Sequence, residues 1–466
     1  MSEQPRTRQE LYDLVRQRGK DEFILEEMIR LGFWPAEGTI PEDPADDIRQ
    51  MGKLRKELQE LRRESRRLQS EKILRRRLLK ERLAESRLKQ KENKEKREQA
   101  RIAKAEAWQR RKQSEIGYLG AGVSAGLDSY KSKAIRLKEK QLPLLGDALQ
   151  IAQAMEISVP ELRFMAFNRQ TSTVSHYVRF QVPKKTGGVR VISAPMPRLK
   201  KLQHWILVNI LEKIPVHDAV HGFRRDRSIV SNATPHVGAK VIINFDLQDF
   251  FPSISYKRVK GLFRSFGYAE STATILGLLC TEAEQEVVEL DGKTYYVALG
   301  DRHLPQGSPA SPAITNIMGR RLDQRLMKMA EKWGFVYTRY ADDLTFSSSA
   351  DNPRICNILK NTESIVMHEG FQLNPKKTRV LRPERQQEVT GIVVNKKLSV
   401  DRKTLKRFRA TLHQIEKNGL KDASWGKDKD VMSSVQGFAN FVAMVDSTKV
   451  AAYISLKILL NPFDLS

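Results

Sequence analysis

The chain has 466 residues, enough for two or three domains with a sizeable core. Lysine and arginine number 82 against 56 aspartates and glutamates, a formal net charge of +26 that points to a polyanionic partner, with nucleic acid first and a membrane surface second. Two cysteines, Cys280 and Cys356, leave no disulfide framework or zinc module and indicate a reducing compartment. The polar start, Met1-Ser2-Glu3-Gln4-Pro5-Arg6, has no apolar run behind it, and no stretch approaches a spanning helix; the expectation is a cytoplasmic protein without a membrane partner.

In chain order, residues 7–32 read as helix, with Leu11, Leu14 and Val15, then Ile24, Leu25, Met28 and Leu31, at helical spacing. Residues 33–47, with Pro35, Gly38, Pro41 and Pro44, read as a loop or linker. Residues 53–112 contain no proline or glycine, and 24 lysines and arginines against 10 acids, more than half of the net charge. Leu54, Leu58, Leu61 and Leu68 hold a heptad seam only briefly, so the segment reads as a long charged helix, either solvated and held by i,i+4 ion pairs or serving as an arm for RNA or a protein partner. Gly117-Tyr118-Leu119-Gly120-Ala121-Gly122-Val123 ends it, and a linker helix leads through 142–155 to the main domain. Tyr177-Val178-Arg179-Phe180-Gln181-Val182-Pro183 and Val189-Arg190-Val191-Ile192 alternate as paired strands around a Lys184-Lys185-Thr186-Gly187-Gly188 turn, and residues 199–214 form an apolar-periodic helix.

Two acidic stretches follow. Val241-Ile242-Ile243-Asn244-Phe245-Asp246-Leu247-Gln248-Asp249-Phe250-Phe251 starts as a buried strand and ends in two acids and two aromatics. Tyr337-Thr338-Arg339-Tyr340-Ala341-Asp342-Asp343-Leu344-Thr345-Phe346 reads as strand, tight turn and strand, with adjacent aspartates at the turn. A lone Asp-Asp pair is more often a water-facing turn; carboxylates from two strands can instead share hard divalent cations, as nucleotidyl transfer requires. Between them, residues 287–298 read as a hairpin turning at Asp291-Gly292, the loop Leu304-Pro305-Gln306-Gly307-Ser308-Pro309 supplies small residues and rigid turns, and Ile314, Met318, Leu322, Leu326 and Met329 mark a core-facing helix. A further helix is expected over 352–369 and helical structure from Ser399 onward, where Arg402, Lys403, Lys406, Arg407 and Arg409 make a basic face suited to a duplex backbone.

Phe245-Asp246 with Phe250-Phe251, then Pro305-Gln306-Gly307-Ser308-Pro309, then Tyr340-Ala341-Asp342-Asp343, in this order, resemble the core motifs of reverse transcriptases over roughly residues 150 to 460. Asn232-Ala233-Thr234-Pro235-His236 before the first acidic strand and Val389-Thr390-Gly391 resemble features of retron reverse transcriptases, and the extension with its Leu-Gly-Ala-Gly-Val break resembles that of the myxobacterial kind. The resemblance implies an α+β right-hand polymerase preceded by a basic helical extension: a helical segment and linker over 1–48, the extension over 49–150, fingers over 151–240, palm over 241–394 and thumb over 395–466. Because the sequence ends at Ser466 after the thumb, no maturase, endonuclease or ribonuclease H part is expected.

The resemblance also assigns roles. Asp246, Asp342 and Asp343, with Leu247, would hold two Mg2+ ions. Lys185 and Arg190 would face the triphosphate, Asp249 would present its backbone to the phosphates, Gln306 would lie against the templating base pair, and the Phe251 ring would screen out a ribose 2′-hydroxyl. Lys377, or its neighbour Lys376, would protonate the leaving pyrophosphate. Asn232, Ala233 and His236 would serve RNA recognition, and Val389, Thr390 and Gly391 would grip the primer. The implied function is RNA-directed DNA synthesis from dNTPs on a cognate structured non-coding RNA of the msr–msd type, giving branched multicopy single-stranded DNA, with a possible effector protein in antiphage defence. Another bacterial reverse transcriptase type, and a non-catalytic RNA-binding scaffold or antitoxin, stand as alternatives.

Overall fold

Helix boundaries in the N-terminal part follow its caps. In the computed structural model, which describes residues 7–35, 44–183, 187–419, 424–426 and 430–446, Thr7 and Glu10 form a capping box that starts the helix Arg8–Arg18. Gly19, at φ +90°, separates it from the helix Lys20–Arg30, so the single helix expected over 7–32 is two. The next helix runs over Pro44–Ser114, 71 residues, and begins earlier than the expected loop end because proline is tolerated in a first helical turn. Gly52 lies against the Glu22 carboxylate, where a Cβ would stand 2.6 Å from Oε2. From Lys53 onward the helix is exposed, Leu54, Leu58, Leu61 and Leu68 included, and pairs such as Arg67–Glu71 and Arg77–Glu81 sit one turn apart along it. The chain divides into two compact units, Met1–Ala107 and Trp108–Ser466, at a point inside this helix.

In the second unit, the Arg163 guanidinium donates to the carbonyls of Lys112 and Glu115 at 2.6 and 2.7 Å, taking up orphan acceptors at the helix end. Short helices, Ala134–Glu139, Ala148–Ala154 and Val159–Ala166, follow the glycine-rich break. Strand β1 (Thr171–Ser172) precedes a hairpin of β2 (Tyr177–Pro183) and β3 (Val189–Pro195), in register from Tyr177↔Pro195 to Pro183↔Val189. The turn of this hairpin, residues 184–186 with Lys185, lies outside the described residues. The helix Pro197–Asn209 buries Leu199, Leu202, Gln203 and Ile206.

The central sheet is antiparallel, with the order β7 (Val336–Tyr340), β8 (Asp343–Ser348), β4 (Val241–Asp246) and β9 (Arg379–Leu381). Its apolar face, with Ile243, Phe245, Leu344 and Phe346, shares one core with Phe263, Leu322, Leu326, Ile358 and Val366 from the helices Tyr256–Phe266, Arg320–Lys332 and Ile355–His368. A second sheet pairs β5 (Glu282–Leu290) with β6 (Lys293–His303), turning at Asp291 and Gly292 with φ of +52° and +69°, and β1 joins its edge. The helical stripe expected from Ile314 to Met329 is broken at Gly319 into Ser311–Met318 and Arg320–Lys332. A small hairpin of β10 (Glu388–Val389) and β11 (Ile392–Val393) packs with Leu405 and Val442 of the helices Arg402–Asn418 and Val431–Val445.

Candidate active site

Three aspartates meet at one end of the central sheet because of its register. Asp246 ends β4 and stands opposite Asp343, the first residue of β8, which is itself opposite Tyr340 across the turn. The tight turn requires a left-handed residue, and Ala341 supplies it at φ +57°. The Leu247 N–H donates to the Asp342 carbonyl at 2.9 Å, tying the turn to the chain leaving β4. The Asn374 N–H donates to the Asp246 carbonyl at 2.8 Å, and Lys377 Nζ donates to Asp246 Oδ1 at 2.7 Å. Lys376 is exposed and Lys377 is directed at the carboxylate, which separates the two neighbours.

The electrostatics are those of crowded acids. Burial raises Asp342, the Asp246 charge adds to this, and Lys377 and Arg190 oppose it. Asp343 opens toward solvent, yet the surrounding protein, then Asp342 and Asp246, push it up to about 7. Among the described residues no group of three His, Cys, Asp or Glu side chains stands ready-spaced around a metal ion. The donor chemistry nonetheless fits hard divalent cations: carboxylate oxygens, mutually repelling, with Lys377 in contact. The Leu247 side chain is apolar and buried, so its main-chain carbonyl is the one oxygen it offers.

The remaining candidates surround this end of the sheet. Asp249 is exposed at φ +45°, and its carbonyl accepts from the Ser253 N–H at 2.8 Å. Gln306 anchors its loop to the β2–β3 hairpin through its carbonyl, which accepts from the Ser193 N–H at 2.7 Å; Gly307, at φ +122°, has no room for a Cβ, which would stand 2.8 Å from the Ser193 carbonyl. Arg190 is exposed on β3 and is close enough to influence Asp342. Phe251 is half-buried, with Phe250 packed in the core behind it. Sequence reasoning missed Phe223, whose ring centroid lies 6.3 Å from that of Phe251 and 6.4 Å from that of Tyr340. Phe223 has φ +56°, and no periodic pattern marks such a residue.

Asn232, Ala233 and His236, expected from the resemblance to serve RNA recognition, lie inside the protein. All three are fully buried. His236 bridges Ser347 Oγ at 2.6 Å and Thr338 Oγ1 at 2.7 Å, bolting its segment to β8 and β7, and burial pushes its imidazole down to about 3. Asn232 Nδ2 donates to Thr390 Oγ1 at 3.4 Å, so two stretches far apart in sequence pack against each other. Thr390 and Gly391 form the β10–β11 turn at φ +48° and +85°, and Asn244 of β4 donates to the Glu388 carbonyl at 2.9 Å. This seats the hairpin carrying Val389 directly on the strand that ends in Asp246.

Comparison with known proteins bears on this arrangement. The family described as reverse transcriptase (RNA-dependent DNA polymerase) matches residues 182–394, which span all three aspartates. The Retron Mx162 reverse transcriptase of Myxococcus xanthus is 40% identical over 378 residues, 77% of this chain and 77% of that one. The chain belongs to the retron reverse transcriptases. The Retron Mx65 reverse transcriptase of the same organism is 44% identical over 59% of this chain and 64% of its own, and the Retron Ec86 reverse transcriptase of Escherichia coli is 34% identical over 69% and 92%. A telomerase structure from Candida albicans, at 14% identity, TM-score 0.35, and 60% and 56% coverage, is too distant to bear on fold or function. This retron reverse transcriptase is therefore an RNA-directed DNA polymerase with the α+β fold of that family. No helix among the described residues is long and apolar enough to cross a membrane.

Proposed function

We propose that this protein copies part of one cognate, structured msr–msd RNA into branched multicopy single-stranded DNA in the cytoplasm, and that product and enzyme act with an effector protein in antiphage defence. Units of the second part serve as fingers (the β2–β3 hairpin), palm (the central sheet) and thumb (the helices from Arg402). The observation that carries the catalytic reading is the placement of Asp246 opposite Asp343 at the Ala341-Asp342 turn, with Lys377 on Asp246. Asp246, Asp342, Asp343 and the Leu247 carbonyl would hold two Mg2+ ions, which when bound activate an attacking hydroxyl and stabilise the leaving pyrophosphate.

This chain's own residues do the rest. Arg190, with Lys185 beyond the described residues, offsets triphosphate charge. Gln306 supports the templating pair on a loop clipped to the fingers hairpin. Asp249 presents main-chain groups to the phosphates, and the Phe251 ring excludes a 2′-hydroxyl. Lys377 Nζ, the one lysine among the described residues held against an aspartate of this set, delivers the proton to the departing pyrophosphate. The β10–β11 hairpin with Val389, Thr390 and Gly391 aligns the primer end, and Asn232, Ala233 and His236 hold that hairpin and the sheet together. The basic Pro44–Ser114 helix offers an exposed surface suited to the RNA backbone.

The test uses cells expressing the gene with several hundred bases of its native upstream DNA. Total nucleic acid is treated with ribonuclease and run on a denaturing gel, for the wild type and for Asp342→Asn with Asp343→Asn. A discrete short DNA that shifts on debranching and vanishes in the double variant is expected. No such DNA, while purified protein extends a supplied primer on RNA, overturns the msDNA reading and leaves the polymerase.

A further inference from the structure

Directly behind the catalytic turn lies a group of polar side chains that the proposed chemistry does not use. Arg339 of β7 and Asp323 of the helix Arg320–Lys332 are both fully buried. They pair in fork geometry, Nε to Oδ1 and Nη2 to Oδ2, each at 2.8 Å, and the Tyr337 hydroxyl donates to Asp323 Oδ1 at 2.8 Å. The remaining guanidinium nitrogen, Nη1, donates to Asn316 Oδ1 and to the Ala341 carbonyl, both at 3.1 Å. Asn316 Nδ2 in turn donates to the Gly222 carbonyl at 2.9 Å.

The two carbonyls held by this group belong to two different walls of the site. Ala341 is the left-handed residue of the turn, immediately before Asp342. Gly222 precedes Phe223, whose ring abuts Phe251 and Tyr340. The two backbones touch: a Cβ on Gly222 would stand 2.6 Å from the Ala341 nitrogen. Neighbouring main-chain bonds, His221 N–H to the Arg339 carbonyl and Arg339 N–H to the Ala219 carbonyl at 2.8 Å each, run the Ala219–Phe223 stretch alongside β7. A buried ion pair of this kind is a poor source of net stability, because desolvation offsets its attraction. What it does supply is direction. The planar fork has fixed donor vectors, and with two spent on Asp323 the third nitrogen can face one way only.

We infer that Arg339 and Asn316, locked by Asp323, are positioning residues that set the register between the aspartate turn and the aromatic wall of Phe223 and Phe251. The inference rests on the proposed roles of Asp342, Asp343 and Phe251. Through the Ala341 carbonyl the group fixes where the two carboxylates point; through the Gly222 carbonyl it fixes how far the aromatic wall stands from them. Loss of the register displaces the sugar screen relative to the reacting phosphate, and a shift of about 1 Å in such a geometry costs as much as a hundredfold in rate.

The test is single-nucleotide extension of a primer on an RNA template by the full chain, with Asn316→Ala, which removes the bond to the Gly222 carbonyl and the bond that steadies Arg339 Nη1, and leaves the ion pair intact. Ser348→Ala, which deletes a buried hydroxyl bond at the far end of β8, controls for destabilisation alone. Asn316→Ala is expected to lower kcat by roughly tenfold to a hundredfold, to raise the Mg2+ concentration at half-maximal rate, and to weaken the preference for dNTP over rNTP. Ser348→Ala is expected to melt earlier with wild-type kinetics. Gly222→Ala, which pushes the walls apart while leaving every side chain of the buried group in place, gives the same kinetic signature where Asn316→Ala melts below the assay temperature. Asp343→Asn runs in parallel. If it abolishes turnover while Asn316→Ala and Gly222→Ala match Ser348→Ala in kcat, Mg2+ dependence and discrimination, the positioning inference alone is overturned. If Asp343→Asn keeps wild-type turnover, the catalytic reading is overturned and the inference with it.

Discussion

Two carboxylate–cation pairs lie on either side of the same turn and are built for opposite purposes. Asp323 and Arg339 are fully buried, joined by two bonds of 2.8 Å, with further partners for the remaining polar atoms. Asp246 and Lys377 share one bond of 2.7 Å, and 41% of the lysine side chain is exposed. The first pair cannot exchange partners, because every alternative leaves a charge in a dry interior. The second can: its lysine reaches water by rotating, and among the described residues the other oxygen of Asp246 has only a long contact, 3.4 Å to Asn374. The proposed two-ion site would need the exchangeable kind at its mouth and the fixed kind behind it.

Cutting each pair on its acidic or basic side separates these roles. The largest effect is expected for Asp323→Ala, which strands the Arg339 charge in the core and costs about 3–5 kcal/mol, read as a fall in the urea midpoint at unchanged slope. Lys377→Ala is expected to lose under ~1 kcal/mol of stability, as for other part-exposed pairs. Equal losses from the two variants would break the comparison. In turnover Lys377→Ala is expected to fall by about 10²–10⁴ while requiring less Mg2+ for half-maximal rate, since Asp246 no longer has a competing cation. Lys377→Arg keeps the charge but not the transferable proton, so it is expected to leave turnover low; full recovery in that variant would remove the proton-delivery role.

The exchangeable side of this comparison was legible in the sequence, and the fixed side was not. Asp246, Asp342 and Asp343 stand out because short-range rules place them: apolar strands end there, and a tight turn joins two of them. The β2–β3 and β5–β6 hairpins follow from the same alternation and turn chemistry. Whether Lys376 or Lys377 faces Asp246 depends on the short 3-10 turn Pro375–Lys377, which periodicity does not resolve. The buried network left a fainter signal. Asp323 interrupts an otherwise apolar helical stripe between Leu322 and Leu326, and Arg339 shares a strand face with Tyr337, but nothing local says that the acid and the guanidinium meet. The Asn232–His236 stretch shows the same limit: its role in RNA recognition came from the resemblance, and nothing in its local pattern says that tertiary packing buries it against β7 and β8.

His236 sharpens the comparison, because it is a buried polar tie that carries no charge. With both ring nitrogens occupied by Ser347 and Thr338 hydroxyls, its pKa is pushed from 6.5 down to about 3, chiefly by burial. The folded state therefore stays unprotonated at pH values where the unfolded chain takes up a proton. That contribution to stability is complete above pH 6.5 and is lost as pH falls from 6.5 toward 3, with a slope approaching about 1.4 kcal/mol per pH unit. Between pH 7 and pH 5 the wild type is expected to lose about 2 kcal/mol more than His236→Gln, which keeps hydrogen-bonding capacity and cannot titrate. Urea titrations of the two proteins at several pH values measure the difference. Parallel stability curves would mean that this imidazole can charge in place, and that the tie between its segment and the sheet is looser than the fixed ion pair on the other face of β7.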